Sequence, residues 1–181
     1  MVNEHSKLIN KLFKEEKWLE AREFLLEWLK ENPDSHWLLT RIATTYYQEN
    51  KYDIALKYVE QALKIAPQCP LVLWNYAETL YMVDKYVDAA NVCNKLIRRG
   101  VKNIAYGDCG EGLRWARSLI NDCRYGLSLS YASLGKFNMA QKYIKKHIAN
   151  RNHNTPSVYN LREVKKDLVI ILNGKDPRID Y

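Results

Sequence analysis

Long apolar runs are missing from this sequence. No stretch approaches the ~18 apolar residues that cross a membrane, so no membrane insertion is expected. The opening MVNEHSKLINKLFKEEKW carries charges throughout and lacks the apolar centre of a secretory leader. Seven glycines and five prolines in 181 residues leave little material for tight turns, which favours long elements with brief connections. Cys69, Cys93, Cys109 and Cys123 never pair at C-x-x-C spacing. His5, His36, His147 and His153 show no ligand spacing with one another or with those cysteines. No metal site and no cofactor is implied, and a cytoplasmic chain with free thiols is the simplest reading. A nucleophile beside a base and an orienting group is also missing, so no enzyme is expected.

What is abundant is aromatic and cationic. Thirteen Tyr and five Trp accompany a net charge of +7, with Lys and Arg spread along the chain rather than gathered in a tail. Self-similarity organises the rest. Ala21, Ala55 and Ala89 recur every 34 residues, as do Trp18, Tyr52 and Tyr86, and Pro33 and Pro67. Leu8-Ile9, Ile42-Ala43 and Tyr76-Ala77 keep the same register, as do Leu12, Tyr46 and Leu80. A fourth copy carries Leu127-Ser128, Tyr131, Gly135, Phe137 and Ala140, displaced by an insertion of 17 residues. Each copy reads as two helices with apolar positions at three and four residues. In the second, Ser35 caps a helix to about Gln48, and Tyr52 opens another that ends before Pro67. The alanines let antiparallel helices approach closely, with the preceding aromatic filling the space beside them.

These small, aromatic and proline positions resemble the tetratricopeptide-repeat motif, over residues 1 to about 150. Ile9 stands where a small residue is typical, and Trp28 and His147 replace a small residue late in the second helix. The stretch Tyr106–Tyr125 is similar to uncharacterised bacterial tetratricopeptide-repeat proteins. The resemblance implies an all-α, right-handed superhelical solenoid of about four helix-turn-helix units, over a single domain at 1–174. The units fall at about 2–34, 36–68, 70–101 and 113–150, with the insertion at about 102–119 and a short tail at 175–181. Terminal repeats differ because they cap the stack.

The insertion starts after Gly100, a helix stop. Residues 101–112 read as a connecting loop: three glycines within 107–112 lack the strand and the Lys-Ser or Lys-Thr of a phosphate loop. The helix from Leu113 should exceed its counterparts by about three turns, with a basic patch at Arg114 and Arg117. Thr155-Pro156-Ser157 predicts the start of a capping helix over about 156–172. Leu161, Val164, Leu168 and Ile171 form its apolar stripe, and the run Leu168–Leu172 offers a homodimer contact. Cys93 takes a core register, and Cys109 is the thiol expected to be exposed.

By the resemblance, the first helix of each unit lines a concave groove that takes peptides. Its lining is Trp37, Arg41, Thr44 and Tyr47, then Trp74, Asn75, Glu78 and Tyr81, then Tyr125. Leu39, Ile42, Tyr46, Leu73, Tyr76 and Leu80 fill the core register, which leaves those rings for recognition. Asn10 and Asn75 match parts of a chaperone-type carboxylate clamp, but Thr40, Thr44 and Leu71 stand where clamp residues are needed, so no clamp is expected. The reading is a protein-interaction scaffold or adaptor, with a protein or peptide partner of apolar or aromatic character. Alternatives are a nucleic-acid-binding module on the basic surface, disfavoured because only Arg41 stands between the rings, and a chaperone or regulatory subunit of a secretion or membrane complex.

Overall fold

The computed structural model describes residues 2–179; Met1, the start of the expected domain, and Asp180 and Tyr181 of the expected tail lie outside them. The described residues form ten helices and no strand. The helices are α1 (Val2–Lys14), α2 (Trp18–Glu31), α3 (His36–Gln48), α4 (Tyr52–Ile65), α5 (Pro70–Met82), α6 (Tyr86–Arg99), α7 (Val101–Tyr106), α8 (Leu113–Ser133), α9 (Phe137–Asn152) and α10 (Leu161–Leu172). They gather into two compact units, Met1–Gln68 and Cys69–Tyr181.

The period is written into the turns. Four hairpins, α1–α2, α3–α4, α5–α6 and α8–α9, share one turn in which Glu16, Asn50, Asp84 and Gly135 adopt positive φ. The following amides, of Lys17, Lys51, Lys85 and Lys136, donate back to the carbonyls of Leu12, Tyr46, Leu80 and Tyr131 at 2.8–2.9 Å. This six-to-one bond closes the first helix of each pair. One residue later the repeat aromatic (Trp18, Tyr52, Tyr86 or Phe137) begins the second helix. Tyr52 and Tyr86 hook their hydroxyls onto Asn50 and Asp84 at 2.5 and 2.6 Å. The repeat alanines Ala21, Ala55, Ala89 and Ala140 are sealed, at 0–1% exposure, as close helix contact requires.

In unit 1, Ile9, Leu25, Leu38 and Ile42 form the core, with Phe13, Trp28, Trp37 and Tyr46 packed against it. Ser35 caps α3 by accepting from the Leu38 amide at 3.3 Å. Arg22 forks onto Glu49 with contacts of 2.8 and 3.2 Å and lies over the Tyr46 ring. In unit 2, Gly126 brings α8 against its neighbours: a Cβ there would stand 3.3 Å from Glu78 Oε1 and 3.4 Å from Cys93 Sγ. His147 is fully buried, its Nδ1 2.8 Å from the Asn121 carbonyl oxygen.

Three local expectations need correction. Residues 101–112 are not wholly loop: Val101–Tyr106 is helical because Ile104 and Ala105 are buried. Gly107 and Gly110 beyond it serve packing, since a Cβ on either would lie 2.5 Å from a backbone oxygen, of Asn103 and Ala105 respectively. α8, at 21 residues against 13 for α3 and α5, is about two turns longer rather than three. Finally, α10 starts at Leu161, capped by Asn160, and Thr155–Tyr159 runs as irregular chain.

Candidate functional site

On unit 1, α3 carries Trp37, Arg41, Thr44 and Tyr47, all half-buried. Trp37 meets the Trp28 ring edge-on at 5.8 Å. The Arg41 guanidinium sits 5.2 Å from the Trp37 ring and 5.4 Å from that of Phe13. Two aromatic faces therefore hold one cation. A cavity of about 550 Å³ opens beside them, lined by Ser6, Asn10, Trp28, Asn32, Ser35, Trp37, Leu38 and Arg41. The Thr44 hydroxyl turns back to the Thr40 carbonyl at 3.0 Å, and Tyr47 packs edge-on against Tyr52.

On unit 2, α5 carries Trp74, Asn75, Glu78 and Tyr81, again half-buried, while Tyr125 of α8 is buried. Asn75 donates to its own helix at Leu71, 3.0 Å away. The chain's own C-terminal segment engages Glu78, Tyr81 and Tyr125. The Tyr159 hydroxyl donates to Glu78 at 2.5 Å, and the Val158 amide to Asp122 at 3.3 Å. Tyr125 lies 4.5 Å, ring to ring, from Tyr159 and donates its hydroxyl to Asp167 of α10. Further along, Arg178 donates to the Tyr81 carbonyl at 2.9 Å, to Asp84 at 2.5 Å and to the Tyr86 hydroxyl at 3.0 Å. Tyr125 is thus not on an open surface, because Tyr159 and Asp167 close over it.

Burial beneath this segment shifts the acids. The Glu78 carboxyl is pushed up to about 7 by desolvation, and the Tyr159 hydroxyl only partly offsets it. Asp122 rises to about 6 for the same reason, against the pull of the Ser157 and Val158 donors. Asp167 is also raised by burial. The sequence held no local sign of this cluster, since its members come from α5, α8, the 155–160 chain and α10.

Arg114 and Arg117 are exposed on the extension of α8, as its apolar and basic sides require. The outer side of α10 leaves Val169 and Leu172 in solvent, at 58% and 49% exposure. Cys93 is buried and Cys109 exposed, and none of the four cysteines forms a disulfide.

Two stretches of the sequence, residues 46–108 and 122–151, match the tetratricopeptide repeat, and together they cover just over half of the chain. The chain belongs to the tetratricopeptide-repeat family. Among solved structures, a MamA RS-1 ArsTM double mutant superposes with a TM-score of 0.62 at 14% identity, over 81% of this chain and 73% of its own. The C-terminal part of a TPR repeat-containing protein from Cytophaga hutchinsonii matches at 19% identity and a TM-score of 0.46, over 79% of this chain and 63% of its own. No curated protein matches the sequence. Tetratricopeptide repeats are protein-interaction modules, and the family membership supports a protein-interaction scaffold in general terms. No helix among the described residues is long and apolar enough to cross a membrane.

Proposed function

We propose that the chain is a cytoplasmic adaptor, acting by binding rather than catalysis, whose receptive surface is the α3 face of unit 1. The observation that carries the reading is Arg41, held between the rings of Trp37 and Phe13 beside a cavity of about 550 Å³. A cation already oriented by its own protein loses little freedom when a ligand arrives. The chemistry fits a protein segment presenting an apolar or aromatic side chain to Trp28 and Trp37 and a carboxylate to Arg41. On the unit 2 face that carries Trp74 and Asn75, the C-terminal segment holds Glu78, Tyr81 and Tyr125. A partner reaches it only by exchange with Tyr159 and Arg178. Cysteines without disulfides fit a reducing compartment.

Peptide selection from a random display library tests this directly. The parent chain should enrich acidic peptides containing aromatic residues, and Arg41→Glu should switch the preference to basic ones. Peptides selected on the parent should bind Arg41→Gln about tenfold more weakly, with helicity unchanged. Equal binding to both, or displacement of the peptides by a single-stranded oligonucleotide, would overturn the reading.

A further inference from the structure

A second cavity lies wholly within unit 2. It encloses about 320 Å³ and is lined by Val101, Arg117, Ile120, Arg124, Asn150 and Thr155. Two arginines face it, and among the described residues no Asp or Glu lines it. Arg117 and Arg124 are seven residues apart on α8, two helical turns, which sets them on one side of the helix about 10 Å apart along its axis. Among the described residues neither arginine forms an ion pair. Arg124 is half-buried, and its one hydrogen bond runs 3.5 Å to the Asn121 side-chain oxygen. That oxygen already takes the Asn150 amide at 2.8 Å. A long contact to a neutral, occupied acceptor does not compensate a guanidinium withdrawn from water.

The consequences of this uncompensated charge appear nearby. Burial pulls the Arg124 guanidinium below its ordinary value. His147, lowered first by its own burial, is lowered further by Arg151 and Arg124. The region therefore carries positive potential with donors in reach: two guanidinium forks, the Asn150 amide and the Thr155 hydroxyl.

We infer that this cavity binds the phosphate group of a phosphorylated protein segment, the choice of a protein segment resting on the adaptor reading above. Two guanidiniums balance the near-double negative charge of a phosphate monoester, and their planar forks match its oxygens pairwise. A carboxylate would neutralise only one of them. A volume of about 320 Å³ admits a phosphate group with several waters, each occupying about 30 Å³. Thr155 and Asn150 then contribute neutral donors at the rim.

The test is titration calorimetry on the full chain at fixed ionic strength. The probes are inorganic phosphate, a phosphoserine peptide, the same peptide without phosphate, and a single-stranded oligonucleotide. The parent should bind inorganic phosphate and, more tightly, the phosphoserine peptide, while the unphosphorylated peptide binds at least tenfold more weakly. Arg117→Ala removes an exposed side chain and should weaken both phosphate ligands about tenfold. Arg117→Lys keeps the charge but loses the fork, and should fall between. Arg124→Lys should weaken binding likewise. Phosphate binding that is absent from the parent, or unchanged in Arg117→Ala and Arg124→Lys, would overturn the proposal. An oligonucleotide that binds more tightly than the phosphopeptide would overturn the protein-segment assignment.

Discussion

Tyr159 and Glu78, 81 residues apart in sequence, are joined by a single hydrogen bond of 2.5 Å that fastens the C-terminal segment to α5. Glu78 also faces Asp122, whose carboxylate takes the Val158 amide and feels Arg151. The segment is thus held by acids that burial makes reluctant to ionise.

The pH dependence of stability follows from these two acids. Their folded values of about 7 and about 6 lie above the ordinary 4.5 and 3.8, so the fold binds their protons more tightly than the unfolded chain does. Their favourable contribution is complete at acid pH and is lost as pH rises through 6 and 7. His147 works the other way: its folded value lies below 6.5, so protonation costs stability as pH falls below that point. The melting temperature should rise on the order of a few degrees as pH falls from about 7.5 to about 5, with His147 offsetting part of the gain below 6.5. Glu78→Gln should remove most of that rise; an unchanged pH profile in this variant would refute the assignment.

Arg22→Ala should destabilise unit 1. The variant loses two contacts to Glu49 and the packing of the guanidinium over Tyr46. A loss of about 2 kcal/mol is expected. The Arg22 and Lys51 hydrogen bonds hold Glu49 near 2, below its ordinary 4.5. The pair's contribution is therefore present above about pH 4.5 and lost as pH falls toward 2. The difference in melting temperature between parent and variant should shrink across that interval.

The repeat was legible because its signals are local and periodic. Ala21, Ala55, Ala89 and Ala140 mark close helix contacts, and the aromatic three residues before each marks a helix start. Less could be read where a side chain acts at long range. Pro156 suggested a helix start, yet Val158 and Tyr159 are drawn into irregular chain by Asp122 and Glu78, which no nearby residue betrays. Tyr125 fits the register of a groove residue, but Tyr159 and Asp167 cover it. Arg124 was hidden inside a repeat helix, where its register looks ordinary. The shared turn was only partly visible, because of its four left-handed residues Gly135 alone announces itself.

That turn gives a stabilising substitution. Glu16 holds φ of 55° in an exposed position where glycine costs nothing sterically. Glu16→Gly should raise stability by about 0.5–1 kcal/mol, read as a higher denaturant midpoint with an unchanged slope.

Gly126 should respond to side-chain size. An alanine gains roughly 1 kcal/mol of helix propensity, set against the tight approach to Glu78 and Cys93. Gly126→Ala should therefore stay within about 1 kcal/mol of the parent. Gly126→Val should lose about 2 kcal/mol by overpacking, measured by thermal melting.

Thiol labelling should find one reactive cysteine. Cys69, Cys93 and Cys123 are buried, and Cys109 is exposed. Its thiol is nevertheless pushed up to about 11 by burial of the sulfur and by Cys69 beside it. At pH 7.5 a disulfide reagent should modify a single thiol per native chain, more slowly than free cysteine, and all four after denaturation.

The two added turns of α8 show where a repeat array can grow. Inserted residues that enter as a helix continue the hydrogen-bond ladder already present, so Leu127, Tyr131 and Ala140 keep their places downstream. The lengthened rod carries Arg117 onto ground that no standard repeat possesses. A scaffold can in this way acquire a new chemical address while the stacking that gives it form is inherited unaltered.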